Sequence, residues 1–358
     1  MKKILNILNM LIAALFAGCF MPTAMTSCTD NGGDGIDSIK WNGSQNPENT
    51  SFRNPVWEPS LEAGTVVKGA SMFVAVSATS QWAPGLTYIC KSLTSNNLMT
   101  WNAGNDTFTE SPAWAKGRVN SLTVDYARTV TGATYWMFYT LEGGNAIGVA
   151  SATAAAGPYT DRGTLITAES LGKTDVRSPF FIVVTTNFYL CYTTDDGTYI
   201  QKIKLNKNSG ATLSGSAIKI ASEAFDDVAL VRANSSRFYL MGTVNNNGSK
   251  EIHYAMASTI TGPYKDRSGA ELTTGSVGEP IITGGTEIIN PENPMRGFIN
   301  EAGTHLFIAY NATEQGKDLM KSGYARRPMF IAPLEIGEDG WFKAPITAQK
   351  GWTSPRYE

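Results

Sequence analysis

The sequence predicts an all-β chain folded as a five-bladed β-propeller of four-stranded antiparallel sheets, and two observations carry that expectation. The first is an internal repeat. IGVASATAAAGPYTDRG, from Ile147 to Gly163, returns as IHYAMASTITGPYKDRSG from Ile252 to Gly269, with Gly157 and Gly262 heading the shared turn 105 residues apart. The second is an aromatic, β-branched run that occurs five times: MFVAVS at Met72, YWMFYT at Tyr135, FYLCYT at Phe188, FYLMGT at Phe238 and LFIAYN at Leu306. Their starts lie 63, 53, 50 and 68 residues apart, room for one small antiparallel sheet each. Evenly spaced strand units bounded by turn residues suggest either a β-sandwich or a radial array, and the regular period favours the array.

In chain order, the first element is not part of the fold. MKKILNILNMLIAALFAGCFMPTAMTSC has a basic start at Lys2 and Lys3, an apolar centre and small residues towards its end, which is the pattern of an export signal. Cys19 and Cys28 each stand in a context that resembles the bacterial lipobox. Cys28 is the preferred lipidation site, because the chain turns polar immediately after it, whereas the residues after Cys19 remain apolar. Lipid there would hold the protein on a membrane surface without a spanning helix. The expected location is therefore the cell envelope, at the outer membrane or in the periplasm of a Gram-negative type bacterium.

The expected division is a leader over residues 1–28, a flexible tether over 29–52, rich in Gly, Asn, Asp and Ser, and one domain over 53–358. Some 300 residues can bury one large core. Cys90 and Cys191 lie in strand-like runs of different repeats and read as buried free thiols. The formal charge is −2, falling to −4 once Lys2 and Lys3 leave with the leader, so nothing supports nucleic-acid binding. His253 and His305 are the only histidines, no cluster has metal-ligand spacing, and no cofactor is expected.

In a propeller, the loop into each first strand and the loop from second to third strand open on one face, where ligands bind. The aromatic runs read as second strands. Counting back one strand and a turn from each places Ala63, residues 120–125, Ser178, Asp226 or Asp227, and Arg296 around the mouth. Asn120 opens the second of these segments. Trp82, beside Pro84 and Gly85 in the first blade's second-to-third-strand loop, would offer a flat apolar face for a sugar ring, or else packs its own loop.

These stretches also carry a resemblance. EAGTVVKGASMFVAVSATSQWAPGLTYICKSLTSNNLMTW, VRSPFFIV followed by FYLCYTTDDGTYI, HYAMASTITGPYKD and GYARRPMFIAPLEIGEDGW are similar to glycoside hydrolase family 43, and the similarity runs from Arg53 onward. Those five-bladed propellers act on arabinose- and xylose-containing polysaccharides. The resemblance implies an Asp general base opening blade one, an Asp tuning the acid's pKa opening blade three, a Glu general acid opening blade four, and a blade-five histidine that often helps hold a central metal ion. An inverting glycosidase needs two such carboxyls, one to protonate the leaving oxygen and one to activate water.

At the matching positions stand Ala63, Ser178, Asp226 or Asp227, and Arg296. An alanine accepts no proton, a serine removes the tuning charge, and an Asp is one methylene shorter than a Glu. The expected function is sugar binding in plant-type polysaccharide (arabinan or xylan) use, with the family's catalysis lost. Trp82, Asn120, Arg296, Ser178 and the two aspartates would contact an oligo- or polysaccharide. The alternative is an active arabinofuranosidase or xylosidase in which displaced carboxylates serve: Glu58 or Glu62 as base, and Asp226, Asp227 or Glu223 as acid. A pure protein scaffold is a third class with no residue arguing for it.

Overall fold

The computed structural model describes residues 51–112, 118–143 and 145–353. The proposed leader, Cys28 and most of the tether lie outside them.

Five small antiparallel sheets form five blades, each starting at the channel and stepping outward. Blade I comprises Thr65–Lys68, Phe73–Val76, Lys91–Ser95 and Asn102–Asp106. Blade II comprises Val119–Thr129, Gly132–Leu141, Ala146–Ala152 and Thr160–Thr167, and blade III Val176–Val184, Asn187–Thr194, Gly197–Asn206 and Gly210–Ala221. Blade IV comprises Asp226–Asn234, Arg237–Asn246, Ser249–Ala257 and Glu279–Thr283, with Ile346–Thr347 added in parallel at its edge. In blade V the inner strand is split into Ile288–Glu292 and Gly297–Ile299, both paired with His305–Glu314, which pairs in turn with Met329–Glu335.

The aromatic runs are the second strands in every blade, and their chemistry follows from that place. A second strand has a neighbouring blade on each face, so it reads as a continuous apolar run rather than an alternation. In Gly132–Leu141 the last eight residues are all buried. Gly197–Asn206, farther out, buries alternate residues over its last half. Apolar side chains from adjacent blades interlock in five clusters, one per blade interface. Val76 with Tyr139 joins blades I and II, Phe138 with Phe181 joins II and III, and Phe180 with Leu240 joins III and IV. Tyr239 with Phe330 joins IV and V, and Phe73 with Phe307 joins V and I. Cys90 and Cys191 are buried free thiols within this packing.

The ring is closed by the start of the domain. Val56 N donates to Met329 O at 2.8 Å, the Asn54 amide bonds Ile331 through both its oxygen and its nitrogen, and Ser51–Arg53 pairs with Gly351–Thr353. Blade V thereby gains an outermost segment from the opposite end of the chain.

Candidate ligand site at the mouth of the channel

Four of the five inner strands are irregular where they start. Register breaks fall between Val119 and Ser121, Arg177 and Phe180, Asp226 and Ala229, and Ile289 and Glu292. A bulge bends the strand and re-aims a side chain. Here the bulges, together with the turn before Thr65, bring Ala63, Ser121, Ser178, Asp227 and Asn293, one residue per blade, around a central pit of about 20 Å³. That is room for about one water. Ala63, Ser178, Asp227 and Asn293 sit at φ +35°, +48°, +47° and +51°. Asn and Asp tolerate this left-handed region, whereas Ala and Ser rarely enter it, and such strain concentrates at functional sites.

Asp227 is the one carboxylate lining the pit among the described residues. Ser178 Oγ donates to its Oδ1 at 3.1 Å. Burial, and next the charge of Asp226, push its carboxyl up to about 6, against the pull of the Ser178 hydroxyl and of Lys250. Asp226 itself is engaged: its Oδ2 accepts from Arg177 Nε at 3.1 Å and Nη2 at 3.0 Å, and its Oδ1 accepts the Asp227 backbone N–H at 2.9 Å. The neighbouring aspartates thus stand in different settings, Asp226 paired with Arg177 and Asp227 buried with its carboxyl raised.

Two wider clefts adjoin the pit. One, of about 360 Å³, is lined by Glu62, Gln81, Arg118, Asn120 and Tyr324, with Gln81 Nε2 donating to the Tyr324 hydroxyl at 3.0 Å. Burial raises the Glu62 carboxyl above the usual range, against the opposing charges of Arg327 and Arg118. The other, of about 400 Å³, is lined by Lys250, Asn290, Glu292, Leu319 and Arg327. Glu292 pairs with Lys250 and, at 3.5 Å, with Arg327 Nε. Leu319 is 55% exposed there, an apolar surface beside the charges.

Ala63, Ser178 and Asp227 lie where the count from the second strands puts them, and Asn120 is exposed in the first cleft. Two expected contacts differ. Trp82 is fully buried: it forms a strand of an inserted hairpin, its Nε1 donates to Ser80 Oγ at 2.9 Å, and Tyr88 packs edge-on at 4.7 Å. It offers no face to a sugar, because the hairpin turns its ring into the interface between blades V and I. Arg296 does not ring the mouth either; Asn293 holds the blade V position, since the split inner strand consumes three extra residues before Arg296. Of the other carboxylates, Glu58 is buried in an ion pair with Arg326, which also binds Glu314, and Glu223 is exposed. Ser121 falls within the predicted segment 120–125, whereas Asn293, Glu292 and Tyr324 escaped the sequence reading, although each lies within a few residues of a turn that the mouth geometry requires.

Arg296 also bears on the central metal ion implied by the resemblance. Its Nη1 pairs with Asp125 Oδ2 at 3.1 Å, and its Nη2 donates to Phe181 O at 2.5 Å and Val124 O at 3.4 Å. Its guanidinium carbon lies 4.9 Å from the Phe180 ring centre. The oxygens a hard cation would need are bound to a side-chain cation, so these residues do not fit a metal ion. The histidines have other roles. His253 Nδ1 is 3.0 Å from Val277 O and its Nε2 3.0 Å from Glu251 Oε2, and His305 Nδ1 is 3.0 Å from Thr304 Oγ1.

Comparison with known proteins gives a consistent picture. The profile described as Glycosyl hydrolases family 43 matches residues 52–342. Extracellular endo-alpha-(1->5)-L-arabinanase 1 of Bacillus subtilis (strain 168) is 26% identical over 247 residues, which is 63% of this chain and 73% of the relative. Among solved structures, Cellvibrio cellulosa alpha-L-arabinanase complexed with arabinohexaose superposes with a TM-score of 0.62 at 14% identity, over 79% of this chain and 94% of that one. The GH43 endo-arabinanase from Bacillus licheniformis gives 0.61 at 19% identity, over 80% and 98%. At such identities the solved structures speak for the fold alone.

Proposed function

The chain belongs to glycosyl hydrolases family 43, and from that premise we propose that it is a cell-envelope lipoprotein that holds a pentose-containing oligo- or polysaccharide at the propeller mouth without the family's usual hydrolysis. One observation carries this reading: among the described residues the pit has a single carboxyl, Asp227, while the positions matched to the base and to the tuning acid are Ala63 and Ser178. Inversion requires a second carboxyl on the far side of the sugar ring, about 6.5–9.5 Å away, to activate water. The Ala63 methyl accepts no proton. What remains is a ring of hydroxyls, amides and one acid suited to bonding sugar hydroxyls, flanked by clefts wide enough for ring-sized units. The arabinanase relatives make an arabinan-type ligand the first to test.

A second reading has its own observation. Burial, and next the like charge of Asp226, still raise Asp227 to about 6 although Ser178 brings no charge, and burial raises Glu62 in the adjoining cleft. Glu292 adds to the rise in both, so the two acids belong to one electrostatic cluster. A hydrolase with Asp227 as acid and Glu62 as relocated base would use that cluster.

The full chain, assayed together for binding and product release on arabinan, arabinoxylan and aryl arabinosides and xylosides, separates the readings. Binding without turnover supports capture. Turnover that falls at least about a hundredfold in both Asp227→Asn and Glu62→Gln establishes the hydrolase, and neither binding nor turnover removes both readings. For the anchor, Cys28→Ser is expected to release the protein from membranes while Cys19→Ser leaves it attached; the opposite pattern would move the lipid to Cys19.

A further inference from the structure

We propose that the Arg296 guanidinium is the propeller's own central cation, bracing the channel as a bound ion would and positioning the Ser178–Asp227 pair above it. Arg296 stands between the two halves of the split inner strand of blade V, so it belongs to one blade and reaches two others. Asp125 and Val124 O are on the inner strand of blade II, and Phe180 and Phe181 O are on that of blade III. A planar fork that serves a carboxylate and two carbonyls at once suits three converging strands better than a point charge does. Only 11% of the Arg296 side chain and 19% of that of Asp125 is exposed, so the pair is poorly screened.

The contact also reaches the site. Phe180 and Phe181 lie at the end of the register break that starts at Arg177, and within that break Ser178 takes φ +48°. Arg296 fixes the break from below through the Phe181 carbonyl and the Phe180 ring. Ser178 then has its hydroxyl 3.1 Å from Asp227. The carboxylate that Arg296 pairs with is strained without it, since burial pushes the Asp125 carboxyl up and Arg296 is the largest opposing influence. Removing Arg296 would leave a buried acid beside two carbonyls, an oxygen-lined hole that itself calls for a cation.

Only the positioning half of this inference rests on the pit being the ligand site, and none of its tests uses a glycan, so a failure of the binding proposal leaves them intact. Thermal unfolding of the full chain is followed in EDTA and in millimolar calcium, for the native protein, Arg296→Ala and Arg296→Lys. The native midpoint is expected to be the same in both media. Arg296→Ala should lose roughly 5–10 °C and regain part of it in calcium, with Arg296→Lys in between because it keeps the charge and loses the fork. The titration of Asp227, read from its side-chain carboxyl carbon by NMR, should rise in Arg296→Lys relative to the native protein as the Ser178 hydrogen bond, which pulls it down, loosens. A native midpoint that drops in EDTA would show a bound ion doing the bracing. An Arg296→Ala midpoint equal to the native one would remove the brace, and an unmoved Asp227 titration would remove the positioning role. If Arg296→Ala does not fold, the native and Arg296→Lys arms still decide.

Discussion

Blades II and IV carry the two copies of the repeat, and their outer parts are built alike. Gly157 and Gly262 both take φ +82°. Each donates its N–H to the carbonyl three residues back at 3.1 Å. Tyr159 and Tyr264 each send a hydroxyl to the carbonyl four residues back, at 2.9 Å in both cases. At the channel end the same blades diverge. Blade II presents Ser121, whose hydroxyl shares a hydrogen bond with Thr140 at 2.7 Å, while blade IV presents the Asp226–Asp227 pair. The lesson is a division within one unit: the outer turn is scaffold and repeats, while the inner end carries the polar groups of the candidate site and does not.

The strongest test of the scaffold half is removal of the paired tyrosines. Both rings are buried in inter-blade clusters, so Tyr159→Ala and Tyr264→Ala should each cost about 3–5 kcal/mol in chemical denaturation. Costs that differ by more than twofold would break the equivalence. Trp82→Ala belongs to the same class because its ring is interior. It should lose about 3–5 kcal/mol of stability while the folded fraction keeps the glycan binding proposed for the native protein, whereas a loss of binding alone would return Trp82 to the site.

The chemistry half is sharpened by Asp227→Asn. The folded-state value near 6 lies above the ordinary 3.8, so the native state holds this proton more tightly than the unfolded chain does. Its contribution to stability is therefore complete below the ordinary value and is lost as pH rises through about 6. Asparagine keeps the left-handed backbone and cannot ionise. The variant should match the native protein near pH 3 and exceed it by up to about 3 kcal/mol at pH 8. Equal pH profiles for the two proteins would mean that Asp227 is an ordinary surface acid and that the pit is not an acid site.

The same division explains what the sequence disclosed. Second strands have a blade on each side, so selection for burial writes them as long aromatic runs, and five such runs reveal five blades. Counting back from them reaches Ala63, Ser178 and Asp227 because in blades I, III and IV turns of two to four residues join the first strand to the second. The count falls short in blade V, where Pro291 and Pro294 interrupt the inner strand, and it lands on Arg296 instead of Asn293. Trp82 misled for a related reason. A Trp beside Pro84 and Gly85 has the composition of an exposed loop, but which way an inserted hairpin folds is settled by contacts with blade V, far away in sequence. The Arg296–Asp125 pair spans 171 residues and leaves no local pattern, so no reading of periodicity would find it.

The smallest expected effect tests how far the likeness of the two turns extends. Both repeat glycines need positive φ, so alanine at either costs about 1 kcal/mol or somewhat more from the backbone alone. Their surroundings differ. A Cβ on Gly262 meets its own turn, with Tyr264 N at 3.0 Å, but one on Gly157 would meet Thr107 O at 2.7 Å, a carbonyl of blade I's outer edge that also accepts the Tyr159 N–H. Backbone held by its own hydrogen bond gives way less readily than a turn that shifts as a unit. Gly157→Ala is therefore expected to cost about twice as much as Gly262→Ala in equilibrium denaturation. Equal costs would mean that the blade II turn is as independent of its neighbour as the blade IV turn, and that the contact with Thr107 fits the two blades together without holding either in place.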